Sequence, residues 1–249
     1  MKLKLITVFA TAIMLASMHL SAQGPVLIGR RGCSGGVENS VEAYAEAINR
    51  GLKYVEGHVR VTADSVFVTS HDGKTARLGG NLKVEQSTLA ELQAETYTQT
   101  REDSATYRGR IATVAQLLGI CREGGAVAVL HLKKFAKGTA PHQIDRLCAL
   151  IDSVSNPADV MILTSERDYI EHLRATRPDI RLMYQADAKW AESLDWCRER
   201  RLPVSIRLDL ITPGCLELYH AAGLKVAAWT VNTPTSLPID YAITDLLRP

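Results

Sequence analysis

Short β-branched apolar runs alternate with longer stretches whose apolar residues recur at helical spacing, from Pro25 almost to the end of the chain. The short runs predict eight strands: Val26 to Gly29, Tyr54 to Val61, Ala126 to Leu132, Val160 to Leu163, Ile180 to Tyr184, Val204 to Ile206, Lys225 to Thr230 and Tyr241 to Thr244. Between them the helical spacing predicts Ser40 to Arg50, opened by an Asn39-Ser40 cap and closed by Gly51, then Val114 to Glu123, His142 to Ser153 and Glu166 to Thr176. Lys189 to Arg200 and Pro213 to Ala222, the latter closed by Gly223, complete the set. Eight βα units in series predict a closed (β/α)8 TIM barrel, a fold in which chemistry gathers at the carboxyl ends of the strands.

One interval breaks the period. Asp72 to Ile111 is polar, carries Gly79-Gly80 and Gly109, and lacks a continuous apolar face, so an insertion over the barrel mouth (residues 72–111) is expected. Val66 to Thr69, after the turn-forming Asp64-Ser65, is expected to fold back on the second strand and return His71-Asp72 to the same end. The first 22 residues read as an export signal, with Lys2 and Lys4 before apolar Leu5 to Met18 and small residues Ser21-Ala22 before Gln23. The expected mature chain, 23–249, is then one periplasmic or secreted domain with no lipid-attachment cysteine. Nothing beyond Ala22 approaches the roughly 18 consecutive apolar residues of a membrane span.

With 249 residues, 46% of them hydrophobic, the chain can bury a sizeable core. A formal net charge of +2 and the lack of any long Lys/Arg run exclude a nucleic-acid partner. The five cysteines are scattered without paired spacing and predict no disulfide framework. Cys121, Cys148, Cys197 and Cys215 fall on or beside helical patterns as small buried hydrophobes, whereas Cys33 follows a strand end and is an outside candidate for a soft metal ligand.

Candidate chemistry collects at strand ends: Arg30-Arg31-Gly32, Glu56-Gly57-His58 and His131-Leu132-Lys133, joined by His71-Asp72. Of seven histidines, His19 leaves with the leader and His142, His172 and His220 sit on helical patterns as solvated side chains. The other three share one predicted rim with Glu56. Tyr97 and Tyr107 lie in the insertion, where they would line a lid.

The order Arg30-Arg31-Gly32, Val37-Glu38-Asn39-Ser40, Glu56-Gly57-His58, His71-Asp72-Gly73, His131-Leu132-Lys133, Trp229-Thr230-Val231-Asn232 and Thr244-Asp245 is similar to the glycerophosphodiester phosphodiesterase family, across essentially the whole mature chain. The resemblance implies a TIM barrel that cleaves glycerophosphodiesters to an alcohol and glycerol phosphate, using a carboxylate-held divalent cation and two proton-moving histidines. It implies Glu56 as a metal ligand, His71 as the second catalytic histidine, Lys133 as a phosphate contact and Trp229 as a substrate-side aromatic. Arg31 and Glu38 are carried as substrate-binding candidates, with structural hydrogen bonds inside the barrel the favoured role for Arg31 and a surface acid the equal alternative for Glu38. Three positions depart from the family: Arg30 stands where it has its first catalytic histidine, His58 for a metal-binding Asp and His131 for a metal-binding Glu.

These departures make the centre about three charge units more positive when both imidazoles are neutral. Mg²⁺ and Ca²⁺ want oxygen ligands and would find one carboxylate. A guanidinium about 6 Å from a divalent ion adds on the order of 5 kcal/mol of repulsion at an effective dielectric of about 20. Arginine also cannot take over proton transfer. Two arrangements stay open. In one, Glu56, His58 and His131 hold Zn²⁺ or another divalent transition metal, His71 donates a proton and Arg30 clamps the phosphate. In the other no metal binds, and Arg30, Arg31, Lys133 and the partly protonated histidines hold an anion without cutting it. The expectation is therefore an exported phosphoric diester hydrolase-class protein for glycerophosphodiester or lipid-headgroup ligands, with weak or absent Mg²⁺ or Ca²⁺ activity. The alternative is a catalytically silent binder of phosphate-bearing small molecules.

Overall fold

The computed structural model describes residues 24–246, so the expected leader and His19 lie outside the described residues. Strand β1 (Val26–Gly29) runs through a single turn at Arg30–Gly32 towards helix α1 (Val41–Asn49), whose first turn is capped by the Ser40 hydroxyl accepting from the Ala43 amide. Strand β2 (Tyr54–Val61) reverses at Asp64-Ser65 into β3 (Phe67–Thr69), which pairs with it antiparallel. After a stretch holding helix α2 (Leu89–Ala94) and a hairpin of β4 (Tyr97–Thr100) and β5 (Thr106–Gly109), the alternation becomes regular. It runs through α3 (Val114–Glu123), β6 (Val127–Leu132), α4 (Ala140–Val154), β7 (Val160–Thr164), α5 (Arg167–Thr176) and β8 (Arg181–Gln185). Helix α6 (Trp190–Arg200), β9 (Val204–Arg207), α7 (Pro213–Ala221), β10 (Val226–Trp229) and β11 (Tyr241–Thr244) finish the described chain.

The eight strands β1, β2, β6, β7, β8, β9, β10 and β11 pair in parallel in that order, and β11 closes onto β1. The (β/α)8 expectation holds, and every predicted strand forms with its ends displaced by about one residue at most. Helix α3 owes its start to a capping box: the Thr113 hydroxyl accepts from the Gln116 amide while Gln116 accepts from the Thr113 amide. Among the described residues no helix is long and apolar enough to cross a membrane.

Strand side chains alternate between the two faces of the wall. Inward-facing Ile28, Val129, Met161, Leu163, Met183, Ala227 and Ile243 fill the barrel interior. Outward-facing Val55, Leu130, Ile162, Ile206 and Ala228 pack under the helices. The segment after β3 has a core of its own, Val68, Leu78, Val84, Leu92 and Ile111, joined by Tyr97. Tyr97 is therefore not a lid-lining aromatic: it is fully buried and its hydroxyl donates to the Leu92 carbonyl at 3.0 Å. Tyr107 donates to Asp103 at 2.7 Å within the hairpin.

Gly57 sits between two residues of the predicted site on β2, on the side of the wall that faces the helices. A Cβ there would come within 2.6 Å of Leu117 Cδ2 and 2.7 Å of the Tyr44 hydroxyl. Helices α1 and α3 can lie this close to the strand only because the residue has no side chain. Gly57→Ala is expected to lower stability by about 1–3 kcal/mol through overpacking, seen as a lower urea midpoint at unchanged slope. A wild-type midpoint would show that the two helices are not held at this distance.

Candidate active site

The turn after β1 starts the site. Arg31 (φ 53°) and Gly32 (φ 84°) both adopt left-handed backbone, and a Cβ at Gly32 would lie 2.8 Å from Ala43, so the turn is pressed onto α1. In that geometry the Arg31 amide donates to Glu56 Oε2 at 3.3 Å. Glu56 projects from β2 into the barrel and is buried. The parallel register of β2 and β6 sets His58 opposite His131. His131 Nδ1 lies 3.0 Å from Glu56 Oε1, and His58 Nε2 lies 3.6 Å from the same oxygen. The two rings stand 4.6 Å apart, and His71 turns its edge to His58 at the same separation.

Burial fixes the protonation of this group. It pushes the His58 imidazole well below its ordinary range, helped by His131, Lys133 and His71. His131 is lowered by burial too, against the pull of Glu56. For Glu56 burial opposes ionisation, but the hydrogen bond and charge of His131, with Arg30 and Arg31, hold the carboxyl below its usual value. Near neutral pH the result is one carboxylate and two neutral imidazoles, and His131 Nδ1–H donates to Glu56. Each of Glu56, His58 and His131 can offer a ligand atom within 4.8 Å of the others, and His58 Nδ1 is buried with no partner among the described residues. A two-imidazole, one-carboxylate set fits a zinc-class ion and supplies too few oxygens for Mg²⁺ or Ca²⁺.

The remaining candidates divide. Arg30, His71, Lys133 and Trp229 line, with the metal-candidate trio, one cavity of about 120 Å³ at the carboxyl ends of the strands. Arg30 Nη1 donates to both carboxylate oxygens of Asp245, at 3.0 and 2.9 Å. That pairing corrects the charge expectation: Asp245 neutralises the guanidinium locally, and the repulsion anticipated between Arg30 and a cation is correspondingly smaller. His71 Nδ1 lies 2.7 Å from Asp72 Oδ1, and burial with the charges of Arg31 and Lys133 lowers its pKa to about 4. At neutral pH His71 is thus a proton acceptor, not the ready donor expected. Burial brings the Lys133 amine down to about 8, while Glu56 works against it. Trp229 forms a wall, its indole N–H donating to Asp187 at 2.9 Å.

Arg31 and Glu38 are not brought to this lining. Arg31 Nη1 donates to Glu38 at 2.7 Å, and Glu38 also accepts from Arg77 Nη1 and Nη2 at 2.7 and 2.6 Å and from Gln99 Nε2 at 2.9 Å. Burial resists the Glu38 charge, but Arg77 and Arg31 hold the carboxyl far below the carboxylate range. Both residues fasten the insertion to the first turn. Cys33 is buried with its thiol directed at the Thr244 carbonyl at 3.2 Å, and it is not part of the Glu56, His58 and His131 cluster. All five cysteines are buried and unpaired, Cys33 along with the four for which burial was expected.

Three contributors were missed by sequence reasoning. Gln185 and Ser205 line the cavity from β8 and β9, and Asp187 accepts from both Gln185 (2.6 Å) and Trp229. The available signal was a polar Gln185 closing β8 and a lone Ser205 between the apolar Val204 and Ile206 of β9. The Ser205 hydroxyl is buried without a partner among the described residues.

The model of the glycerophosphoryl diester phosphodiesterase family matches residues 21–247. Solved structures share the architecture. A proposed glycerophosphoryl diester phosphodiesterase from Silicibacter pomeroyi superposes with a TM-score of 0.79 at 19% identity, covering 91% of this chain and 92% of that one. An Oleispira antarctica phosphodiesterase, in complex with the product sn-glycerol-3-phosphate, gives 0.72 at 21% identity over 89% and 93%. A glycerophosphodiester phosphodiesterase from Thermotoga maritima gives 0.71 at 20% identity over 90% and 96%. At these identities the likeness is one of fold. No curated protein matches the chain.

Glu38 carries a prediction with a definite sign. Its folded-state pKa lies below the unfolded value of about 4.3, so its contribution is fully present above that pH and is lost progressively as pH falls from there through the lower folded-state pKa. Glu38→Gln leaves buried Arg31 without its anion and is expected to cost about 3–5 kcal/mol at pH 7. Chemical denaturation at pH 7 and near pH 3 should show the gap between variant and wild type narrowing in acid. A gap that is the same at both pH values would mean that charge at Glu38 does not stabilise the fold.

Proposed function

We propose that this chain, which belongs to the glycerophosphoryl diester phosphodiesterase family, is a phosphoric diester hydrolase-class protein whose cation site has been rebuilt for a zinc-class ion and whose Mg²⁺- or Ca²⁺-dependent turnover is weak or absent. The observation that carries the reading is the convergence of Glu56, His58 and His131 on one side of a cavity that Lys133 and Arg30 also enter. A phosphate-bearing ligand, a glycerophosphodiester or a lipid headgroup, suits those cations, and the Oleispira neighbour holds a phosphate ester. The apolar segment with Lys2 and Lys4 at its head supports export to the periplasm or beyond.

The chain's own groups take the following parts. Lys133 and the side of Arg30 not bound to Asp245 hold the phosphate. Trp229 and the Gln185–Asp187 pair form the wall against which the alcohol portion lies. Asp72 orients His71 through Nδ1, so that the opposite nitrogen accepts a proton from the attacking oxygen. A zinc-class ion, when bound, would polarise the phosphoryl oxygen. Departure of the alcohol also needs a proton, and Arg30 stands where the family resemblance places the group that supplies it. Loss of such a donor typically costs roughly 100-fold to 10,000-fold, which is why slow turnover is part of the proposal.

One observation favours a second reading, a silent binder: Arg30 is tied to Asp245 through two contacts and stands as a fixed cation at the place of a proton carrier. Metal analysis and diesterase assays across Zn²⁺, Mn²⁺, Mg²⁺ and Ca²⁺ separate the two. The enzyme reading expects zinc near one per chain, lost in Glu56→Ala, with turnover of a glycerophosphodiester that falls roughly 100-fold or more in His71→Ala. A metal-free protein whose melting temperature rises with inorganic phosphate, and does not in Lys133→Ala, would establish the binder. A melting temperature indifferent to every metal and to phosphate would overturn both.

A further inference from the structure

The amino ends of the strands, opposite the mouth, hold a second cavity of about 390 Å³, and its lining includes five arginines: Arg174, Arg177, Arg181, Arg200 and Arg201. No acidic side chain is part of that lining. Acids on the outer side restrain only some of these groups. Arg177 is held by Asp152 and Asp179, and Arg200 by Glu171 and Glu199. Arg174 Nη1 donates to the Arg200 backbone carbonyl at 2.9 Å and has no acidic partner among the described residues. Arg181 is anchored through Nη2 to the Ala158 carbonyl, and its Nε is buried with no partner among the described residues. Arg201, exposed just beyond α6, makes no ion pair among the described residues and adopts left-handed backbone with φ 53° and ψ 41°, where glycine is the ordinary occupant.

We infer that this basal cavity is a second anion site, for a small molecule bearing phosphate groups, separate from the mouth. Its volume suits a small ligand and not a folded partner. Guanidinium forks match phosphate oxygens in pairs, and while Arg177 and Arg200 are already held by acids, Arg174, Arg181 and Arg201 are not. The uncommitted donors, Arg201, the far side of Arg174 and Arg181 Nε, belong to three separate segments, so a ligand here would join α5, β8 and the end of α6. A non-glycine residue kept in left-handed backbone, with a free cationic side chain, points the same way.

Isothermal titration with inorganic pyrophosphate tests this. Arg201→Gly suits the purpose, because glycine relieves the left-handed backbone and the melting temperature should stay level or rise. One binding event is expected to weaken roughly tenfold to hundredfold in Arg201→Gly and in Arg174→Gln, and to persist unchanged in Lys133→Ala, which reports on the mouth alone. Failure of the mouth proposal would remove only the event sensitive to Lys133→Ala, so the two ideas fall separately. Pyrophosphate binding that neither arginine variant alters would overturn the basal site. So would wild-type pyrophosphate binding combined with reduced sedimentation of the arginine variants on phosphatidylglycerol vesicles, which would assign the arginines to a lipid surface.

Discussion

A single buried carboxylate organises the mouth of this barrel. Glu56 occupies an inward-facing strand position of the kind filled elsewhere by Val129 or Met161, and a charge there is tolerable only when donors meet it. The Arg31 amide and His131 Nδ1–H are those donors. Much of the local structure is what it takes to supply them: the left-handed turn at Arg31 and Gly32, the register that sets His131 beside β2, and the glycine at position 57 that lets α1 and α3 press against the same strand. Neutral imidazoles follow from the same burial, since protonating His58 or His131 would add an unsolvated cation beside Lys133.

Around that centre the arginines are balanced one by one. Asp245 holds Arg30, and Glu38 holds Arg31 together with Arg77 from the insertion. Arg77 also reaches Asp72, the residue that orients His71, so the insertion is wired to the proton-accepting side of the mouth. A ligand phosphate therefore meets less positive charge than a count of basic residues suggests. Lys133, partly desolvated and without a dedicated acid in the lining, is the cation whose protonation an arriving anion would change most.

The barrel was legible because strands buried on both faces read as continuous apolar runs and the helices between them carry clear start and stop signals. The core of the site was legible for a related reason. Glu56 and His58 are two apart on one strand and so share a face, and the chemistry of a (β/α)8 barrel is confined to one rim. What the sequence did not disclose is pairing. A structural role for Arg31 could be anticipated, but not that Glu38 is its partner, and nothing local marks Asp245 as the partner of Arg30, 215 positions away. Tyr97 was misplaced for the opposite reason: the insertion is polar on average, and the few apolar residues that build its small core show no periodicity.

A purely structural role for the mouth meets an energetic objection. His58 Nδ1 and the Ser205 hydroxyl belong to residues that line the same cavity, and each is buried without a partner among the described residues. Such an atom costs about 1–3 kcal/mol relative to a satisfied one, while an apolar side chain of similar size at either position would remove the cost. Barrel interiors accept Val or Leu there without difficulty, as the neighbouring positions do. Two polar atoms on residues that line one small space, beside a carboxylate and an amine, find their partner in whatever occupies that space, an ordered water or a ligand. The family's fold is thus retained, and these two polar atoms face the space that the other mouth residues also line.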